Sequence, residues 1–138
     1  MKLDPTAFLA DPELVQTLAK NSTPMSCDSE RMLFRQGELS TGLFILTLGT
    51  ATLNMTSPTR NKEVVSLEAT AGSLLGLPAL LGGEPYTLSA TAHAGAQFGF
   101  LPREEFTALM QTDPLLSLKV LRRLAAEVRS ARRAIVQR

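Results

Sequence analysis

The sequence has no tryptophan, one tyrosine, one histidine, one cysteine, and no lysine or arginine between Lys62 and Arg103. Each shortage excludes something. With Cys27 alone there is no disulfide framework, no paired-cysteine metal spacing and no iron–sulfur set, so a reducing compartment, by default the cytoplasm, is expected. With His93 alone there is no histidine pair for a metal, and Ser73 and Ser89 have no histidine–acid companions for nucleophilic catalysis. Aromatic residues make up 5% of the chain and are missing from its last helix, which leaves no stacking platform for nucleic acid. No apolar run approaches the roughly 20 residues of a membrane helix, and no basic-then-apolar leader opens the chain, so no membrane association is expected.

What is present suffices for one domain over residues 1–138, with 44% hydrophobic content to build a core. The net charge of +1 hides an asymmetry. From Lys119 onward seven cations (Lys119, Arg122, Arg123, Arg129, Arg132, Arg133 and Arg138) stand against Glu127, giving +6 and leaving −5 for the remainder. A basic helix suits nucleic acid or an acidic membrane surface, but the commoner cause is the solvated face of a helix. Specific nucleic-acid binding is not expected of this chain.

Along the sequence, Asp11-Pro12-Glu13 reads as a helix start, with an aspartate cap, a first-turn proline and an acid near the positive end of the dipole. A helix over 11–20 follows, and Asn21 to Pro24 ends it. Asp4-Pro5 opens a shorter turn, with Phe8 and Leu9 tucked under the domain. From Met32 the texture changes to short strands bounded by glycine. Leu43 to Leu48 is a continuous β-leaning run, Thr50 to Met55 alternates, Ser57 to Lys62 is a polar loop, and Val64 to Leu67 returns from it. Two more strands between Leu88 and Leu101 hinge at Ala94-Gly95. Many short strands at this spacing predict a small all-β sandwich or jelly roll over 32–101. The predicted core is Phe34, Leu43, Ile45, Leu48, Leu53, Val65, Leu67, Phe98, Phe100 and Leu109. Two helices close the chain over 103–138, a short one from Arg103 to Met110 and a long one opened by Asp113-Pro114.

In the long helix, Leu121, Leu124, Val128, Ala131 and Ile135 are spaced 3, 4, 3 and 4, a heptad seam. Such a seam predicts a homodimer through parallel helices. A single amphipathic helix lying on the roll is the alternative, and Leu116, Val120 and Leu124 partly supply its face. Arg122, Arg123, Arg129 and Arg133 fall away from the seam.

Three segments carry a resemblance: the glycine-punctuated run Leu33 to Leu53, the stretch Ala71 to Thr87, and Leu101-Pro102-Arg103-Glu104-Glu105-Phe106. In this order they resemble the cyclic-nucleotide-binding domain of the Crp/Fnr regulators, effector domain only, over about Asp11 to Arg138. The resemblance implies a mainly β fold with flanking helices. It would be an antiparallel β-roll (double-stranded β-helix) of about eight strands, with an N-terminal helix and a long C-terminal dimerisation helix. It also implies a phosphate-binding cassette, here 72–87, in which a glycine and a glutamate precede a short helix and an arginine followed by serine or threonine closes the site. Guanidinium and helix-terminal amides would hold the cyclic phosphate there. In this chain Gly72 takes the glycine position, Ser73 replaces the glutamate with Leu74 and Leu75 after it, Tyr86 replaces the arginine, and Thr87 takes the serine position. Arg132 falls near the base-contacting positions of activator-like relatives.

The resemblance therefore implies a non-catalytic sensor with a small-ligand pocket formed by Gly72, Ser73, Leu74, Leu75, Tyr86, Thr87 and Arg132, weakened or altered for cyclic AMP and cyclic GMP. No cofactor is expected. A dimerisation module with a vestigial pocket, and a sensor of haem or an apolar ligand, are the alternatives. No helix-turn-helix follows the dimer helix, so operator binding by this chain alone is not expected. Glu104-Glu105 are helix neighbours that point apart, and Gly72 to Gly76 lacks the lysine of a triphosphate loop, so no enzyme is expected.

Overall fold

The computed structural model describes residues 4–57, 59 and 62–137, and the side chains of residues 131 and 133–137 stand outside that description. A 3-10 turn, Pro5–Phe8, precedes helix α1 (Pro12–Lys20). Eight strands follow: β1 (Thr23–Ser26), β2 (Arg31–Phe34), β3 (Gly42–Leu48), β4 (Thr50–Ser57), β5 (Lys62–Thr70), β6 (Leu74–Leu75), β7 (Ser89–Ala92) and β8 (Gln97–Pro102). Helix α2 (Leu77–Gly82) interrupts them, and α3 (Arg103–Thr112) and α4 (Pro114–Gln137) close the chain. Two four-stranded antiparallel sheets, β1-β8-β3-β6 and β2-β7-β4-β5, face each other as the predicted roll.

Strand β3 explains why its sequence is apolar throughout. Phe44 and Leu46 point between the sheets, with Phe34, Leu53, Tyr86 and Phe98. Leu43 and Ile45 point outward into a second cluster with Leu14, Leu18, Leu101, Phe106 and Val120, contributed largely by the helices. A strand buried on both faces loses the polar alternation of a half-solvated one. The sheet β1-β8-β3-β6 thus divides two hydrophobic clusters.

Several expectations need correction. Thr23–Ser26 is a strand, although Pro24 reads as a helix stop; β1 is an edge strand, where a missing N–H costs no ladder bond. Leu48 is 52% exposed, because the β3–β8 register shifts between Leu46 and Leu48 and turns it outward. Leu9 is exposed, while its neighbour Phe8 is buried as expected. Asp11 precedes α1 without a side-chain capping bond; its carboxylate lies 3.7 Å from Lys119 Nζ instead. Asp4 and Asp113 do cap, accepting from the backbone N–H of Thr6 and Leu116 at 3.0 and 3.1 Å. The predicted Ser57 to Lys62 loop falls partly outside the described residues.

Candidate ligand-binding site

The segment expected to be the cassette, 72–87, begins just after β5 ends. Gly72 adopts φ +97°, a left-handed conformation that glycine takes without strain. Its N–H donates to Leu46 O at 2.7 Å, and its carbonyl accepts from Ala10 N–H at 2.9 Å, so the first cassette residue ties β3 to the N-terminal segment. Ser73 is fully buried, and its hydroxyl finds no partner among the described residues. Leu74 and Leu75 form β6 and point in opposite directions, Leu74 into the helix-side cluster and Leu75 between the sheets. Gly76 turns the chain at φ +90° into α2, where Pro78 takes an early helical position.

A second anchor fixes α2. Arg103 donates from Nη1 to Leu80 O at 3.1 Å and from Nη2 to Ser40 O at 2.6 Å. The arginine of the Leu-Pro-Arg-Glu-Glu-Phe motif therefore clamps the cassette helix to the β2–β3 loop. Phe106 of the same motif is buried in the helix-side cluster.

Tyr86 is the residue that decides the pocket. Its ring stacks on Phe34 with centroids 4.0 Å apart and planes 18° from parallel. Its hydroxyl accepts from Thr41 N–H at 3.2 Å and donates to Gly42 O at 3.3 Å. Its backbone accepts from Gly37 N–H at 2.8 Å and donates to Glu38 O at 2.9 Å. A cavity of about 40 Å³ remains beside it, walled by Phe34, Leu53, Leu75 and Ala79, with Phe8 and Glu127 at its helix side. Ligand pockets usually run to roughly 300–1,000 Å³. The cavity is closed to a nucleotide in this conformation.

Of the sequence-predicted ligand residues, Leu75, Tyr86 and Thr87 line the cavity together. Gly72, Ser73 and Leu74 support it from outside its wall, and Arg132 is exposed on α4. Among the described residues no lysine or arginine lines the cavity. Two groups escaped sequence reading. Arg123, expected to face solvent, is only 5% exposed, and Glu127 is 9% exposed. They form an i,i+4 ion pair, Nη2 to Oε1 at 2.9 Å, beneath the turn that carries Phe8. Burial raises the Glu127 carboxyl to about 7 despite the adjoining guanidinium, and burial lowers the Arg123 pKa. A residue four positions away of opposite charge was the available signal, but surface pairs share that spacing.

The seam residues divide. Leu121 and Val128 are 55% and 50% exposed, Leu124 packs partly against the helix-side cluster, and the side chains of Ala131 and Ile135 lie outside the described residues. The opposite face of α4 buries Leu116, Val120, Arg123, Glu127 and Ser130 on the rest of the domain. Both faces of the helix are therefore accounted for: one lies on the roll, and an apolar stripe remains outward.

His93 lies apart from the cavity. Its Nδ1 is 3.0 Å from Glu30 Oε1 and its Nε2 is 3.2 Å from Glu68 Oε1. Among the described residues no group of three or more His, Cys, Asp or Glu is placed to hold a metal, and no helix is long and apolar enough to cross a membrane.

Residues 24–113 match the family model described as the cyclic nucleotide-binding domain. The chain belongs to this family. No curated protein sequence matches it. Among solved structures, this cyclic nucleotide-binding domain is similar to the catabolite activator protein of Thermus thermophilus, with 24% identity and a TM-score of 0.78 over 97% of the chain. The chain spans 62% of the length of that protein. It is also similar to the N-terminal domain of a transcriptional regulator from Streptomyces coelicolor A3(2), with 22% identity and a TM-score of 0.67, covering 95% of this chain and 90% of that one. The sensor domain of the transcriptional regulator DNR from Pseudomonas aeruginosa has 21% identity and a TM-score of 0.64, covering 83% and 77%. At these identities the three likenesses establish the shared roll and its flanking helices.

Proposed function

We propose that this cyclic nucleotide-binding domain is a non-catalytic regulatory module of a reducing compartment, the cytoplasm, that works as a homodimer through α4. In this reading its pocket has lost ionic recognition of a cyclic phosphate. One observation carries the reading: Tyr86 occupies the pocket wall stacked on Phe34, and among the described residues no cation lines the cavity. A hydrogen bond to a charged group contributes about 1.5–3 kcal/mol net, so replacing a guanidinium by a phenol lowers phosphate affinity on the order of tenfold to a hundredfold or more. The outward Leu121 and Val128, one heptad apart, support self-association, since exposed apolar residues at that spacing are satisfied by a second copy. A ligand that opened the cavity would move the roll against α4 and change the dimer geometry.

The 40 Å³ cavity favours a second reading, a dimerisation module whose pocket is filled by its own side chains. Titration calorimetry with cyclic AMP and cyclic GMP tests the first reading, which expects no binding at micromolar ligand. Light scattering tests the dimer: the wild type should weigh twice the chain mass and Val128→Glu once. A monomeric wild type at high concentration ends the dimer proposal. Micromolar binding of either nucleotide ends the claim about Tyr86, and a Soret band in the purified protein would favour a haem sensor instead.

A further inference from the structure

Arg123 is a buried charge short of partners. Its Nη2 bonds Glu127, but Nε and Nη1 find no acceptor among the described residues. An unpaired buried guanidinium N–H is costly, so each such group calls for an explanation. The Glu127 carboxylate and the Phe8 ring, whose centroid is 5.8 Å away, both lie against this guanidinium. Both also line the cavity. The recess therefore already holds a carboxylate beside a benzene ring, each supplied by the chain itself.

We propose that the cavity is the receptor for a small monocarboxylate with an aromatic or aliphatic body, whose carboxylate takes the place of Glu127 on Arg123 and whose body takes the place of the Phe8 ring. The proposal rests on the reading of this cavity as a ligand pocket. It answers the volume problem, because moving Phe8 aside joins the space of its ring to the existing cavity. A single negative charge fits, because one cation, Arg123, lies behind Phe8 and Glu127 and is uncovered only when they move. Within the cassette segment 72–87 the one charged residue is Glu84, which is exposed and is not among the residues lining the cavity. The Asp4 carboxylate accepts from Thr6, the Tyr86 hydroxyl is held by Thr41 and Gly42, and Lys119, one turn earlier on α4, is paired with Asp11 and Glu13.

Displacing Glu127 leaves it buried without a counter-ion, so it takes up a proton from solvent. Its carboxyl already titrates near 7. Affinity should therefore fall about tenfold between pH 6 and pH 8.

The experiment is titration calorimetry of the whole chain with benzoate and hexanoate at both pH values, in two buffers of different ionisation enthalpy. Benzyl alcohol, inorganic phosphate and cyclic AMP are the comparison arms. Both acids should bind, with proton uptake at pH 8, while benzyl alcohol and phosphate should not. Phe8→Ala should bind benzoate at least tenfold more tightly. Glu127→Gln should bind without proton uptake or pH dependence, and Arg123→Gln should lose binding. Benzyl alcohol equal to benzoate, undiminished binding by Arg123→Gln, or no acid bound by Phe8→Ala at millimolar concentration overturns the proposal. Should Arg123→Gln fail to fold, Glu127→Gln decides: persistent proton uptake overturns it. A dimer that binds neither acids nor cyclic AMP overturns this proposal alone, whereas micromolar cyclic AMP beside bound benzoate overturns only the earlier reading.

Discussion

Tyr86 lies face to face with Phe34, 4.0 Å between ring centroids, and its hydroxyl bridges Thr41 N–H and Gly42 O. The ring and the hydroxyl can be tested separately. Tyr86→Ala should cost about 3–5 kcal/mol, as large aromatic deletions from a core do. Tyr86→Phe should cost about 1 kcal/mol, the net worth of the lost hydroxyl bonds. Urea unfolding of the three proteins gives both numbers, and equal losses for the two variants would show that the ring contributes nothing.

Arg103 should matter to the cassette out of proportion to its exposure. Arg103→Ala removes the donors to Leu80 O and Ser40 O together, and a loss of about 2–3 kcal/mol is expected. Hydrogen exchange should show α2 amides less protected in the variant while β4 and β5 are unchanged. Uniform loss of protection would contradict a local clamp.

Stability should fall as pH rises from 5 to 9, from two sources. The His93 pKa is raised above 6.5, mainly by its hydrogen bond with Glu68, with burial working against it and Glu30 adding a further increase. Protonated His93 therefore stabilises the fold fully below about 6.5, and the gain disappears as pH rises through the folded value. Glu127 acts in the same direction. Its folded value of about 7 stands above the ordinary 4.5, so the stabilisation held by its proton is lost between those values. His93→Gln should flatten the upper part of the urea-midpoint profile, and Glu127→Gln the part below 7. A double variant with the slope of the wild type would refute both assignments.

Gly76 should not tolerate a side chain. Its φ is +90°, and an added Cβ would meet Tyr86 Cε1 at 3.0 Å. Left-handed backbone alone costs an L-residue roughly 1–2 kcal/mol, and the contact with a stacked ring adds to it. Gly76→Ala should therefore lose more stability in urea than Gly37→Ala, whose added Cβ meets nothing within 4 Å at the same φ.

The roll was legible because strand runs and glycine breaks are local signals, and β3, β4, β7 and β8 lie where the pattern places them. The short pieces were not. β1 is hidden by Pro24, and β6 is two residues long, too brief for any period. At the site, the position of Tyr86 relative to the anchor motif could be counted, but its stacking on Phe34 joins positions 52 residues apart, which no local pattern reports. Arg123 and Glu127 misled for a related reason. A charged i,i+4 pair reads as solvated, and only the placement of Phe8 above it shows that it is buried.

The partition made by β1-β8-β3-β6 has a consequence for how the domain breathes. The helix-side cluster joins α1, α3 and α4 to Leu43, Ile45, Leu74 and Leu101 on the outer face of that sheet, so the helices and one sheet share a source of cohesion apart from the roll interior. Loosening the helices would therefore uncover one face of β3 and β8, and amide protection in those two strands should follow the helices while β4 and β5 keep theirs.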